Sequence, residues 1–149
     1  FAFVLTVIVI LVLVNLFLDR AEEVAVSVEE TAINKQVNEI NARLLVFVFK
    51  RKIDNTMSGL VDYHHGNPFE ILNGEKDPPV QKIVSNQKQG DEQSGWFFNT
   101  SKKMLVYKSR YKNQETYFQL KFSYQDVNNS GRFDPGVDKP LMLNLEKVE

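Results

Sequence analysis

The residues with the clearest chemical pattern lie in the stretch DVNNSGRFDPGVDKP, residues 126–140. Oxygen-bearing side chains occupy positions 1, 3, 5 and 9 of a possible EF-hand calcium loop, with Gly131 at position 6. Alternating oxygens can point inward around Ca²⁺, and the glycine permits the sharp turn. The candidate calcium ligands are Asp126, Asn128, Ser130, Asp134 and Asp138.

A second interpretation of the same stretch is a long β-turn that binds no metal. Position 12, where an EF-hand has a bidentate Glu, is Val137, and strands rather than helices are predicted on both sides. Asn and Asp also favour turns, because they tolerate left-handed backbone and bond to their own loop. The sequence leaves both interpretations open, with Ca²⁺ as the one cofactor to consider.

The remaining reactive side chains do not form a catalytic pattern. His64 and His65 are adjacent, so both reach one metal only from irregular backbone, and a solvated loop is the simpler interpretation. The chain has no Cys, no Gly-rich phosphate loop and no Ser with an evident base. We therefore predict a protein that is not an enzyme, with no catalytic residues.

The first 18 residues, FAFVLTVIVILVLVNLFL, contain no charge, no Pro and no Gly. As a helix they extend roughly 27 Å, close to the hydrocarbon thickness of a bilayer. The run is too long for a signal peptide and lacks a small-x-small cleavage site after it. We predict a transmembrane helix over residues 1–18, the alternative being a buried core helix.

The flank of this segment indicates its orientation. Residues 19–30 carry five acidic side chains and one base, Arg20, whereas basic residues mark the cytoplasmic side of a span. The rest of the chain is therefore expected outside the cytoplasm. A net charge of −1 gives no reason to expect nucleic acid as a partner.

Helical periodicity continues beyond the apolar segment. Residues 19–57 lack Pro and Gly, and we predict an amphipathic extension of the same helix. The predicted stripe consists of Ile33, Val37, Ile40, Leu44 and Val48, widened by Leu45, Phe49 and Ile53. Either a domain of the same chain or a coiled-coil dimer must cover it, and a domain of the same chain is the better interpretation because few heptads are uninterrupted.

Residues 58–149 are predicted to form an extracytoplasmic domain. Turn signals dominate residues 58–94, an irregular connector with a short helix at 80–86. Period-two alternation then predicts an antiparallel sheet over residues 95–148, with strands at 96–98, 104–110, 116–124 and 141–145. Because the sheet and the helix each have an apolar face to cover, we predict an α+β fold with the sheet packed on the helix.

This order of elements resembles type IV pilins and type II secretion pseudopilins. The resemblance depends on FAFVLTVIVILVLVNLFLDR, GWFFNTSKKMLVYKSRY and TYFQLKFSY, and the Trp-then-LVY pairing is most similar to accessory proteins of the mannose-sensitive haemagglutinin (MSHA) pilus. It implies a single-pass protein of the bacterial inner membrane with a periplasmic domain. The implied partners are membrane lipid and other pilus or pseudopilus subunits.

The resemblance also refines the role and the calcium hypothesis. Main pilins have Glu at their fifth position, where this chain has Leu5, which implies a minor subunit or accessory factor instead of the main filament subunit. Some pseudopilins bind Ca²⁺ in a loop near the end of their sheet, which favours calcium at residues 126–138. The alternative function is a permanently bitopic scaffold or sensor that binds a ligand or partner.

Overall fold

The computed structural model describes residues 1–73, 94–112 and 114–148, so the helix predicted at 80–86 lies outside the described residues. Two compact units are present, Phe1–Lys35 and Gln36–Glu149. The first unit is entirely helical. The second contains the rest of that helix, two short helices and a four-stranded sheet.

Helix α1 extends from Ala2 to Ile53. Its apolar N-terminal side chains are exposed, and none of its most apolar window is buried inside the protein. A buried core helix is therefore not what the structure shows. By length and composition, α1 is long and apolar enough to cross a membrane.

The C-terminus of α1 lies four residues before the predicted end at Met57. Asn55 adopts left-handed backbone with φ 56°. The Thr56 N–H donates to the Arg51 carbonyl at 2.9 Å, and the Asn55 N–H donates to the Lys52 carbonyl at 3.4 Å. These two bonds form a Schellman motif, which satisfies carbonyls of the last turn and ends the helix at Ile53.

Residues 57–73 are more regular than the predicted connector. A 3₁₀-helix, which we name η1, spans Met57–Tyr63, and α2 spans Pro68–Asn73. Asn67 Oδ1 accepts the Phe69 N–H at 3.1 Å, while Pro68 occupies the first helical position, where its missing N–H costs nothing. Leu60, Phe69 and Leu72 are buried. This segment therefore contributes to the core.

The predicted sheet is confirmed as a four-stranded antiparallel meander. Its strands are β1 (Gly95–Asn99), β2 (Met104–Lys108), β3 (Glu115–Gln125) and β4 (Lys139–Val148), in the spatial order β1-β2-β3-β4. The β3–β4 register shifts between Ser123 and Tyr124. Leu141 has no partner at this irregularity and is exposed, although simple alternation placed it with Leu143 and Leu145.

The sheet covers one face of the C-terminal half of α1, which confirms the α+β fold. The helix contributes Ile40, Leu44, Phe47 and Val48 to the core. The sheet contributes Leu105, Phe118, Leu120, Leu143 and Leu145. Burying these apolar side chains from both elements provides the main free energy that holds helix and sheet together.

Part of the predicted stripe is not in this core. Leu45, Phe49 and Ile53 were expected to widen the buried face, but all three are exposed. Each residue of an α-helix is rotated by about 100° from the one before, so positions 45 and 49 lie well to the side of 44 and 48. The sheet covers a narrower face than predicted and leaves these side chains outside.

Candidate functional site

The predicted calcium loop connects β3 to β4, and a buried carboxylate closes its base. Asp138 is 5% exposed. Its Oδ1 accepts the Val127 N–H and its Oδ2 accepts the Asp134 N–H, both at 2.8 Å. Asp138 thus connects the two ends of the loop through bonds to backbone donors.

The tip of the loop is held by Asp126 and Asn128. The two carboxylate oxygens of Asp126 accept the N–H groups of Ser130 at 3.1 Å and Gly131 at 2.8 Å. Asn128 donates from Nδ2 to Asp134 Oδ2 at 2.7 Å. Left-handed backbone at Asn129 and at Gly131, with φ 56° and 74°, makes the reversal tight enough for these bonds.

An aromatic cluster attaches the same loop to the sheet. Phe133 contacts Phe122 edge-on with ring centroids 5.0 Å apart, and it contacts Tyr124 at 5.4 Å. Edge-to-face contacts of this kind add to the free energy gained from burying the rings. The loop is therefore anchored by its own hydrogen bonds and by packing on β3.

The structure connects four of the five predicted ligands at the tip and places Asp138 at the base. Both oxygens of Asp126 and both of Asp138 already accept backbone N–H groups, and Asn128 presents an N–H₂ group to Asp134. Within residues 1–73, 94–112 and 114–148, no three His, Cys, Asp or Glu side chains are grouped to hold a metal ion. The described geometry is that of a self-bonded turn, and calcium stays a prediction.

The His pair has a role in the sheet. Strand β2 pairs with β3 only as far as Phe118. Beyond it, the His65 N–H donates to the Leu120 carbonyl at 2.9 Å, and the Phe122 N–H donates to His64 Nδ1 at 3.1 Å. These bonds give hydrogen-bond partners to the Leu120 carbonyl and the Phe122 N–H, which lie on the part of the β3 edge that β2 does not reach.

The bond to Phe122 requires an unprotonated Nδ1 on His64. Partial burial, and then the neighbouring His65, lower the pKa of His64 below its usual value of 6.5. The two imidazole rings are stacked with centroids 3.7 Å apart. Burial and the neighbouring His65 both favour the neutral form of the His64 ring, which can accept the Phe122 N–H.

An open groove of about 490 Å³ lies between α1, η1 and α2. Arg51 lies within it, donates to Tyr63 Oη at 2.8 Å, and stacks its guanidinium near the Phe47 ring at 5.2 Å. Asp62 and Glu70 line the same groove. Local sequence patterns do not reveal this role of Arg51, because its contact with Tyr63 depends on how η1 folds back on the helix.

Comparison of the chain with protein-family models, with curated proteins and with solved structures found no match.

Proposed function

We propose that this chain is a non-enzymatic, single-pass membrane protein of type IV pilus or pseudopilus assembly, acting as a minor subunit or accessory factor. The observation that supports this proposal most directly is the difference between the two halves of α1. Its N-terminal apolar side chains are exposed, whereas its C-terminal half is packed on a four-stranded antiparallel sheet. This is the layout implied by the resemblance to pilins, and MSHA systems, with the biogenesis protein MshF, are the particular case it suggests.

The proposed location is the bacterial inner membrane, with the second unit in the periplasm. The side chains of residues 1–18 are uncharged and, apart from Thr6 and Asn15, apolar. They are stable in lipid, whereas exposure of so many apolar side chains to water is unfavourable. The acidic flank after residue 18 supports the orientation, because cytoplasmic flanks are usually basic.

The absence of any carboxylate from residues 1–18 supports an accessory role over that of a main filament subunit. A carboxylate in an apolar filament core is tolerated when it is paired with a charge of opposite sign. No side chain of residues 1–18 can form such a pair. The chain would act through protein contacts made by its periplasmic unit, and we expect neither catalysis nor nucleic-acid binding.

Two measurements in the source bacterium test this proposal. Because the chain has no Cys, Thr100→Cys introduces a unique thiol in an exposed turn. We expect a membrane-impermeant maleimide to label it once the outer membrane is permeabilised, and we expect deletion of the gene to reduce surface pili or pseudopilus-dependent secretion. Labelling only after lysis would contradict the orientation, and unchanged pili and secretion would contradict the assembly role.

The groove around Arg51 favours a second candidate, a bitopic scaffold or sensor that stays in the membrane. A guanidinium beside two aromatic rings, in a groove that two carboxylates also line, can recognise a polar ligand. If the chain is a sensor, Arg51→Gln would abolish the response of the cell to that polar ligand, while deletion of the gene would leave pili intact. The two outcomes separate this candidate from the first.

A further inference from the structure

The surface of α1 that faces away from the sheet carries a second apolar stripe, which we name the outer seam. Within Gln36–Glu149, the outer seam consists of Ala42, Val46, Phe49 and Ile53. The last three are 56%, 54% and 79% exposed. The four residues of the outer seam follow one another at intervals of four, three and four residues, which is the a/d spacing of a coiled coil.

The same register extends towards the N-terminus in the sequence. Going back by heptads from the outer seam gives Glu39, Lys35, Ala32, Val28, Ala25 and Ala21. Eight of these ten a and d positions from 21 to 53 are apolar, and the apolar segment before them continues the register without a charge. Four of the eight are Ala, whose small side chain permits close approach of two helices.

The sheet occupies the positions that a coiled coil leaves free. Counting Val46 as a, the buried residues Ile40 and Phe47 are at b, Val48 is at c and Leu44 is at f. Positions b, c and f point away from the partner helix in a two-stranded coiled coil. Two copies can therefore pair through their outer seams while each keeps its own sheet on the outside.

Charged side chains occupy two layers of this register. The only charged a and d residues between 21 and 53 are Lys35 and Glu39, and across a parallel two-fold seam each faces its own copy, so these two layers are unfavourable and the apolar layers at 42–53 must hold the pair together. Across a parallel pair, each g residue meets the e residue five positions later on the partner. Within residues 31–53 these pairs are 31–36, 38–43 and 45–50, and none brings like charges together.

From these observations we propose that a second copy of this chain covers the outer seam, forming a parallel homodimer along α1. The parallel direction rests on the proposed membrane placement, which fixes both N-terminal segments in one bilayer. Dimerisation removes Val46, Phe49 and Ile53 from water, which is favourable in proportion to the apolar area buried. The domain sheet and the dimer thus use opposite faces of one helix, since residues 40 and 42 are separated by about 200° around its axis.

The test is disulfide cross-linking of the full-length protein in liposomes of phosphatidylcholine and phosphatidylglycerol. The natural chain lacks Cys, so each of Val46→Cys, Phe49→Cys and Ile53→Cys carries one thiol. A two-fold seam brings identical a or d residues within the roughly 4.4–6.8 Å between Cα atoms that a disulfide needs. We expect most of the protein to form covalent dimers at these positions, at a yield that does not change with lipid dilution.

Two matched controls define the seam. Lys50→Cys lies one residue from Phe49 but about 100° around the helix, and Lys121→Cys lies on the exposed face of the sheet. Both should cross-link several-fold less. Equal cross-linking at 49 and 50, ladders larger than dimers, or monomer alone would overturn the proposal.

A second variant tests the seam without cross-linking. We expect Val46→Glu/Phe49→Glu to abolish the dimer in liposomes while the emission of the single Trp, Trp96, stays unchanged, because both substituted residues are exposed in the folded unit. A dimer that persists in this variant would also overturn the proposal. Failure of the membrane anchor is distinguishable, since the protein would then not remain with the liposomes at all.

Discussion

The side-chain amide of Asn41 pairs with the backbone of Leu145 through two hydrogen bonds. Asn41 Nδ2 donates to the Leu145 carbonyl at 3.1 Å, and Asn41 Oδ1 accepts the Leu145 N–H at 2.7 Å. Strand β4 is an edge strand, and at Leu145 both backbone groups point away from β3. The helix therefore provides the hydrogen-bond partner that a fifth strand would otherwise supply.

We predict that Asn41→Ala destabilises the folded unit by about 1–3 kcal/mol, because it leaves a part-buried N–H and carbonyl without their partners. Urea unfolding followed by Trp96 fluorescence measures this change. Asn38→Ala is the matched control, since Asn38 is an exposed Asn of the same helix. Equal effects of the two substitutions would show that the Asn41 bonds do not stabilise the fold.

The base of the 126–138 loop gives a second prediction. Asp138→Asn replaces one acceptor oxygen by an N–H₂ group that faces a backbone donor, so we expect a loss of about 1–3 kcal/mol in unfolding free energy. Asp62→Asn, at an exposed carboxylate, is the control and should change stability little. Urea unfolding measures this change. If Asp138→Asn leaves the urea midpoint unaltered, this carboxylate does not close the loop as described.

Calcium binding at the same loop can be measured separately. If Ca²⁺ binds, it stabilises the folded state, and the thermal midpoint should rise in millimolar Ca²⁺ and fall again with chelator. Asp126→Ala should then abolish the rise, because Asp126 is the first candidate ligand. A midpoint indifferent to Ca²⁺ and chelator would leave the hydrogen-bonded turn as the complete account of this loop.

His64 makes stability depend on pH. Its pKa is lowered in the folded state by partial burial and by His65, so below about pH 6.5 the unfolded chain takes up a proton that the folded chain excludes. Stability from this residue is therefore present above pH 6.5 and is lost as pH falls through the folded pKa. We expect the urea midpoint to decrease over that range.

The His64→Gln variant isolates this effect. Gln does not titrate, and its carbonyl can still accept the Phe122 N–H, so the decrease below pH 6.5 should become smaller. His65→Gln should retain most of the decrease, because burial is the larger cause of the pKa shift. If His64→Gln and the natural chain show the same pH dependence, another group is responsible.

Sequence patterns predicted the helices and strands that are determined by residues close together in the chain. Alternation of Phe118 and Leu120 with polar residues identified β3, and a long run without Pro or Gly identified α1. The end of α1 was missed because Asn55 was not considered as a left-handed cap. Asn67-Pro68 lies among the turn signals of the predicted connector at 58–94, although an N-cap followed by Pro also begins a helix.

The site residues depended on contacts that local patterns do not contain. His64 acquires its role only because β2 stops at Phe118 and leaves the edge of β3 open beyond it. Leu45 and Phe49 matched an apolar stripe by type, yet which apolar positions become buried depends on the width of the covering sheet. The ligand spacing at 126–138 was visible in sequence, whereas the bonds that occupy its oxygens required the folded loop.

Removal of the apolar segment should separate anchoring from folding. A chain comprising residues 19–149 retains the whole of the compact unit Gln36–Glu149, including its helix–sheet core. We expect it to remain soluble without detergent and to unfold cooperatively, with Trp96 fluorescence and far-UV circular dichroism giving the same midpoint. The full-length chain should require detergent or lipid, because its exposed apolar side chains over residues 3–18 are lost from the fragment. A fragment that is unfolded at every concentration would show that the core described here does not suffice, and a full-length chain soluble without detergent would contradict the membrane anchor.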